Sequence, residues 1–177
     1  MANDNRAWVI MSFGNDAAWE GNAGYSDNVL SEYQYDSFVP NSKQIGLGDV
    51  IIIRDRLSIL GFAKVDELNS KSDTRVMKRC PICGTTKFNE RVTKLPQFRC
   101  RDGHEYDQPT AERLPCTSFT IKYGDSFIPS IPPADANLLL PAYLNQGTQL
   151  SIRPVSLTEI RKIGGTVNSR SRALFNN

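Results

Sequence analysis

Three cysteines and the single histidine of this chain constrain its fold more than any other feature. Cys80 and Cys83 form a Cys-x2-Cys pair, and Cys100 and His104 form a Cys-x3-His pair. Sixteen residues separate the two pairs, a span that suits two short strands joined by a turn. Structural zinc prefers thiolate and imidazole ligands, and four protein ligands leave no position for a catalytic water. The spacing therefore predicts a structural Zn²⁺ site in a zinc ribbon.

The alternative interpretation is a set of unrelated thiols, such as a disulfide in a secreted protein. The chain begins Met-Ala-Asn-Asp without an apolar signal segment, so we expect a cytoplasmic protein whose cysteines bind metal. Cys116 lies outside the pattern, in an alternating stretch typical of a buried small hydrophobe. No run of 18 apolar residues occurs, so we expect no membrane partner.

The net charge of +2 hides an uneven distribution of charge. Residues 71–101 hold nine Lys/Arg against two Asp/Glu, whereas residues 1–70 hold five against ten. A basic ribbon suits contact with nucleic-acid phosphates. Small ribbons are also often highly charged merely to stay soluble, and charge alone leaves both interpretations open.

The pattern along the chain predicts a mostly β protein with short helices. Apolar runs predict a strand at residues 7–12 and a hairpin at residues 50–65, in which Gly61 marks a bulge or a close approach to the backbone. Later signals predict strands at residues 117–123 and 149–153, a helical turn at residues 138–144, a polar linker at residues 69–78, and a helix from a capping box at Ser156 to Gly164-Gly165.

This order of elements indicates a small barrel that carries the ribbon as an insertion. We assign residues 1–70 and 109–165 to the barrel, residues 71–108 to the inserted zinc ribbon, and residues 166–177 to a flexible basic tail.

A long aromatic segment, residues 13–41, is the best candidate for recognition. Long segments without regular structure are usually functional or disordered, and the aromatic content argues against disorder. Stacking faces beside short polar groups suit a flipped nucleobase, although aromatic residues equally suit a core. The candidate nucleic-acid-binding residues are Trp19, Tyr25, Tyr33, Tyr35, Asp36, Ser37 and Asn41, with Arg54 and Asp55 from the hairpin turn, which is otherwise an ordinary charged turn.

Catalysis by this chain itself is not expected, although whether it belongs to an enzyme stays open. A zinc deaminase needs an open coordination position and an H-x-E spacing, whereas Glu105 directly follows His104. A Ser-His-Asp triad would require the same histidine.

Several motifs together resemble one family. They are Ala-Trp-Val-Ile, Tyr-Gln-Tyr-Asp-Ser-Phe-Val-Pro-Asn-Ser-Lys-Gln-Ile, Gly-Asp-Val-Ile-Ile-Ile-Arg-Asp, Ile-Leu-Gly-Phe-Ala-Lys-Val, Cys-Pro-Ile-Cys-Gly and Gly-His-Glu-Tyr-Asp-Gln-Pro. In this order, over residues 7–123, they resemble the EVE-like, PUA-superfamily N-terminal module of modification-dependent HNH restriction endonucleases.

The resemblance implies a PUA/EVE-like pseudo-barrel that reads 5-methyl- or 5-hydroxymethylcytosine in double-stranded DNA by base flipping. It places Trp19 and residues 33–37 along the pocket, and Asn41, Arg54 and Asp55 near its rim. It also implies a nuclease, fused or separate, because one histidine cannot supply an HNH motif. Asp102 stands where similar sequences often carry a cysteine, so His104 completes the metal site and Asp102 is a substitute ligand to consider.

Two other functions stay open at this point. PUA-like domains also bind RNA, and a zinc domain can serve only as a structural or protein-interaction module.

Overall fold

The computed structural model describes residues 6–12, 28–147 and 150–175. Its β-strands are β1 (Ala7–Met11), β2 (Glu32–Asp36), β3 (Val50–Arg54), β4 (Ser58–Lys64), β5 (Glu67–Arg79), β6 (Phe88–Glu90), β7 (Phe98–Cys100), β8 (Glu105–Tyr106), β9 (Thr110–Lys122), β10 (Ile128–Asp135) and β11 (Ile152–Val155). One α-helix, α1 (Leu157–Val167), and 3₁₀ helices at Gly124–Ser126, Ala136–Ala142 and Ser169–Phe175 complete the described elements. No described helix is long and apolar enough to cross a membrane.

A five-stranded sheet of order β10-β4-β3-β1-β11 forms the centre of the fold. The pair β1 and β3 is parallel and its other pairs are antiparallel. Successive residues of a strand point to opposite faces, so Val50 and Ile52 join one apolar cluster while Ile51 and Ile53 join another. Burial on both faces explains the uninterrupted β-branched run of β3.

Two different layers cover this sheet. On one face α1 and the last two 3₁₀ helices supply Ile160, Leu139 and Phe175. On the other face the sheet β2-β9-β5 supplies Tyr33, Tyr35 and Ile121. The pairings of the described strands leave the central sheet open, with β10 and β11 at its edges. The mostly β prediction is confirmed, and the pseudo-barrel stays a proposal.

A third sheet, β6-β7-β8, forms the ribbon at the end of a long ladder. β5 pairs with β9 from Glu67 opposite Lys122 to Arg79 opposite Thr110, while β2 pairs with β9 only over Ser118–Lys122. Eight residue pairs, from Ser72 with Thr117 outward, therefore form a two-stranded stretch about 25 Å long. We call residues 72–117, this stretch together with the ribbon, the ribbon arm.

Several predicted elements agree with the structure. The strand at residues 7–12 and the hairpin at residues 50–65 are confirmed as β1, β3 and β4. The N-cap of the predicted capping box is confirmed, because Ser156 Oγ accepts a hydrogen bond from the Glu159 amide at 3.4 Å. The reciprocal bond is not formed, since the Ser156 amide donates to the Ala142 carbonyl and the Glu159 carboxylate pairs with Lys162. The helical turn near residues 138–144 is present as the 3₁₀ helix Ala136–Ala142.

Four local predictions were wrong. The polar linker at residues 69–78 is the middle of β5, and the aromatic segment contains β2. The α-helix continues past Gly164-Gly165 to Val167. The tail expected to be flexible forms a 3₁₀ helix over Ser169–Phe175, where Leu174 and Phe175 are buried against the core.

Candidate metal centre and ribbon arm

Two knuckles bring the four predicted ligands together at the end of the ribbon arm. Cys80 directly follows β5, and its carbonyl accepts from the Gly84 amide at 2.9 Å. Cys100 ends β7, and its carbonyl accepts from the Gly103 amide at 3.0 Å. Gly84 and Gly103 have φ values of 73° and 88°, which glycine adopts without strain. Each turn therefore depends on one glycine: Gly84 directly follows the Cys80 and Cys83 pair, and Gly103 lies between Cys100 and His104.

The ligand atoms have the spacing of a tetrahedral site. The sulfur and nitrogen atoms of Cys80, Cys83, Cys100 and His104 all lie within 4.8 Å of one another. Cys83 Sγ is 3.8 Å from Cys100 Sγ, which is 3.5 Å from His104 Nδ1. A tetrahedron with metal–sulfur bonds of about 2.3 Å and metal–nitrogen bonds of about 2.0 Å has edges of about 3.8 Å and 3.5 Å. The four residues therefore fit one metal ion.

Local electrostatics favour the thiolate form of Cys80. Burial raises the pKa of this thiol, but hydrogen bonds from the backbone amides of Cys83 and Ile82 and from the side chains of Cys83 and Cys100 together lower it to about 7. Such amide donors are typical of reactive or metal-binding cysteines. Cys80 and Cys100 are buried, Cys83 is exposed and His104 is half-buried. Asp102 contacts Cys83 at the rim, and the four-residue cluster is complete without it.

A small aromatic core supports the metal centre. Phe88, Phe98 and Tyr106 pack around the two buried cysteines, with ring centroids 5.9 to 6.1 Å apart. The loop between β6 and β7 is fixed by Arg91, which donates to the Pro96 carbonyl and to Glu105 Oε1 at 2.7 Å. The ribbon thus has its own core, separate from the two clusters of the central sheet.

The surplus of positive charge is smaller on the ribbon arm, residues 72–117, than in residues 71–101. Residues 72–117 hold nine Lys/Arg against six Asp/Glu, because β8, β9 and the loop between them add acidic residues. Lys87, Lys94 and Arg101 are nevertheless exposed on the ribbon, and none of them pairs with a carboxylate in the described part of the chain. Cationic side chains of the ribbon are therefore available to an anionic partner.

The aromatic candidates that the structure describes lie in the core. Tyr33 and Tyr35 are 3% and 1% exposed and belong to the apolar cluster between the two larger sheets. The Tyr35 ring stacks between Tyr33 and Phe119, at centroid distances of 5.7 and 5.2 Å. Burial raises the pKa of Tyr35 to about 12, and its hydroxyl has no hydrogen-bond partner in the described region. Trp19 and Tyr25 lie outside the described residues.

The polar candidates hold local structure together. Asp36 pairs with Arg75 at 2.7 Å, and Ser37 Oγ accepts from the Thr117 amide at 3.1 Å. Asn41 has a φ of 67° and donates to the Ile152 carbonyl at 2.9 Å. Asp55 Oδ1 accepts from the amides of its own turn, Leu57 at 2.8 Å and Ser58 at 2.6 Å. Each of these four side chains therefore has a hydrogen-bond or ion-pair partner within the protein.

The predicted pocket and its predicted rim lie on opposite faces of the central sheet. Arg54 donates to the Tyr143 hydroxyl at 3.1 Å on the face covered by α1, whereas Tyr35 packs on the other face. The side chains of β3 alternate, so Arg54 points away from the face that Ile53 shares with Tyr35. The structure therefore does not bring Arg54 together with Tyr33 and Tyr35, and the pocket with its rim stays a prediction.

Cys116 lies on β9 opposite Asp73, half-buried and outside the metal cluster.

Sequence reasoning did not identify Tyr106 and Arg91 as supports of the ribbon. Their signal is the alternation of aromatic and charged residues around the second knuckle.

Comparison with protein-family models, with curated proteins and with solved structures found no match to this chain.

Proposed function

We propose that this chain is a zinc-stabilised nucleic-acid-binding module that binds duplex DNA through its ribbon arm. The supporting observation is the metal-ligand cluster at the end of a two-stranded arm, beside exposed and unpaired cations. Neutralising backbone phosphates with such cations supplies affinity that does not depend on base sequence. Zinc fits best because three thiolates and one imidazole are its usual structural ligands.

The finer proposal is that the module reads 5-methyl- or 5-hydroxymethylcytosine by base flipping in a pseudo-barrel and directs a nuclease to modified DNA. Its support is the resemblance of residues 7–123 to EVE-like reader modules. The aromatic segment before β2 carries Trp19 and Tyr25, which supply stacking faces for an extruded base.

Replacing the three exposed ribbon cations tests the role of the arm. In the triple variant Lys87→Gln, Lys94→Gln, Arg101→Gln, affinity for a short duplex should fall at least about tenfold at low salt. The slope of log affinity against log salt should become shallower by about 0.9 for each phosphate that the variant no longer neutralises. Fluorescence anisotropy over a salt series measures both quantities.

A matched control carries the same change in net charge away from the arm. Lys43, Arg170 and Arg172 are exposed and make no ion pair among the described residues. Their triple Gln variant should keep most of the affinity. An equal loss in both triple variants would show that total charge, and not the arm, determines binding.

Matched duplexes test base recognition separately. The unmodified, 5-methyl and 5-hydroxymethyl forms of one sequence should differ in affinity, and Trp19→Ala should reduce that difference more than it reduces binding to the unmodified duplex. Equal affinity for all three would remove the reader proposal and leave the backbone contact. Tighter binding to single-stranded RNA would assign the module to RNA.

A further inference from the structure

Arg153 carries a buried cation for which no counter-charge is found among the described residues. It lies on β11 opposite Val9 and is 8% exposed. Its guanidinium carbon lies 3.4 Å from the centroid of the Tyr143 ring, and Nη2 donates to the Asn145 carbonyl at 2.8 Å. Nε has no hydrogen-bond partner, and no carboxylate of the described chain forms an ion pair with this side chain. The described fold therefore buries a charge without neutralising it.

A second guanidinium contacts the same tyrosine. Arg54, the last residue of β3, donates from Nη1 to the Tyr143 hydroxyl at 3.1 Å. Its Nε and Nη2 donate to the carbonyls of Asp55 and Arg56, both at 2.7 Å. All three acceptors are neutral oxygens, and no carboxylate of the described chain forms an ion pair with Arg54. Two cations thus share one aromatic side chain at the end of the parallel pair β1 and β3.

Asn145 adds an unsatisfied polar group beside Arg153. Its Oδ1 is buried without a hydrogen-bond partner in the described chain, and its backbone carbonyl already contacts Arg153. A half-turn of this carboxamide would present Nδ2, a donor, in place of Oδ1. Burying an unpaired cation and an unpaired amide is costly, because the water they lose is not replaced by protein contacts.

We propose that Arg153, Arg54, Tyr143 and Asn145 form a binding site for a phosphate-type oxyanion. A tetrahedral anion accepts several hydrogen bonds at once, and guanidinium groups match its oxygens in charge and geometry. A phosphate dianion also balances the two positive charges, which a single carboxylate does not. The site lies on the face of the central sheet covered by α1, so it is distinct from the ribbon arm and does not depend on the proposed function.

Thermal unfolding of the whole chain tests the site, because an anion that binds only the folded state stabilises it. Inorganic phosphate should raise Tm in a saturable way above sodium chloride of equal ionic strength and pH. Arg153→Met and Arg54→Met should each remove the saturable part. Arg170→Met, an exposed arginine outside the ribbon arm, should keep it.

The substitution at Arg153 should not by itself unfold the protein, since Met has similar volume and removes an unpaired buried charge. Arg54→Met, at a half-buried position, gives an independent result if Arg153→Met expresses poorly. Broadening of the phosphorus NMR signal of inorganic phosphate by wild type, absent with either variant, would report binding directly. An identical phosphate response in wild type and both variants, or no response in wild type, overturns the proposal.

A short duplex distinguishes the two sources of phosphate. If a nucleic-acid backbone phosphate occupies the site, the duplex should displace inorganic phosphate, and Arg153→Met should weaken duplex binding more than Arg170→Met does. If free phosphate is the ligand, its stabilisation should persist at saturating duplex and Arg153→Met should leave duplex affinity unchanged. Failure of duplex binding altogether would remove the function proposed above and leave the inorganic phosphate response intact.

Discussion

At the scale of single residues, a tyrosine that is not a metal ligand, Tyr106, lies beside the metal centre. Tyr106 is 7% exposed, and its hydroxyl has no hydrogen-bond partner in the described chain. Burial raises its pKa to about 12, and the next largest cause is the charge of Cys80. The hydroxyl therefore stays protonated beside a thiolate, where it can donate to sulfur. Such outer contacts to ligands tune metal affinity.

Tyr106→Phe should weaken metal binding roughly tenfold, because the Cys80 thiolate loses a neighbouring donor while the ring packing is retained. Competition with a chromophoric chelator measures the zinc affinity, and the thiolate-to-cobalt charge-transfer band of the Co²⁺ form should shift.

Tyr35→Phe is the matched control for this substitution. Its hydroxyl is also buried and unpartnered among the described residues, but it lies in the core of the larger sheets. Equal zinc affinity and equal cobalt spectra in wild type and Tyr106→Phe would show that the hydroxyl does not act on the metal centre.

At the scale of elements, apolar pattern decided which strands could be predicted. The β-branched run of β3 and the alternating β4 carry their own signal, as does the capping residue Ser156 before α1. β5 carries none, because most of its residues are polar and exposed and its strand exists through pairing with distant β9. Non-local hydrogen bonding of this kind leaves no trace in the local sequence.

Glycine was informative in one element and misleading in another. Gly164 lies inside α1 and does not end it. An added Cβ at this position would lie 2.6 Å from Ser171 Oγ, so the glycine permits close packing of the 3₁₀ helix that follows. Gly61 on β4 shows both of the features that the sequence predicted as alternatives, a bulge and a close approach to the backbone. The register shifts beside it, and an added Cβ would contact the Phe127 ring and lie 2.8 Å from the Ile128 carbonyl oxygen.

Gly61→Ala should therefore destabilise the protein by about 1 to 3 kcal/mol, because the Phe127 ring and the β10 backbone must move to admit the methyl group. Denaturant unfolding measures the change in the free energy of unfolding.

Gly46→Ala is the control, since its Cβ would meet only ordinary contacts, 3.5 Å or more away, and a non-positive φ accepts alanine. The added substitution Phe127→Ala should reduce the further cost of Gly61→Ala, and strictly additive costs would show that the ring is not the obstacle.

At the scale of the whole molecule, the grouping of the metal ligands was predictable, whereas the positions of the other candidate residues in the fold were not. The metal site was predictable because its ligands form two closely spaced pairs, Cys80 with Cys83 and Cys100 with His104. A single ribbon turn is enough to bring these two pairs together. The resemblance to EVE-like modules placed Tyr35 along a pocket and Arg54 near its rim. Strand alternation separates them onto opposite faces, and Arg153 joins Arg54 from a distant strand.

The same organisation predicts how the molecule responds to loss of metal. The ribbon core of Phe88, Phe98 and Tyr106 is small and includes two of the ligands, so it depends on the metal ion. The central sheet has two larger clusters that contain no residue of the ribbon. Removing metal should therefore unfold residues 80–106 and leave the central sheet folded.

Hydrogen exchange with peptide resolution measures this response after treatment with a chelator. Peptides from residues 80–106 should lose protection, whereas those from β1, β3 and β4 should keep it. Cys83→Ser should give the same pattern without chelator, and Cys116→Ser, outside the cluster, should resemble wild type. DNA affinity should fall with ribbon protection, because unfolding removes the fixed positions of Lys87, Lys94 and Arg101. Loss of protection throughout the central sheet would instead mean that the ribbon and the sheet fold as one cooperative unit.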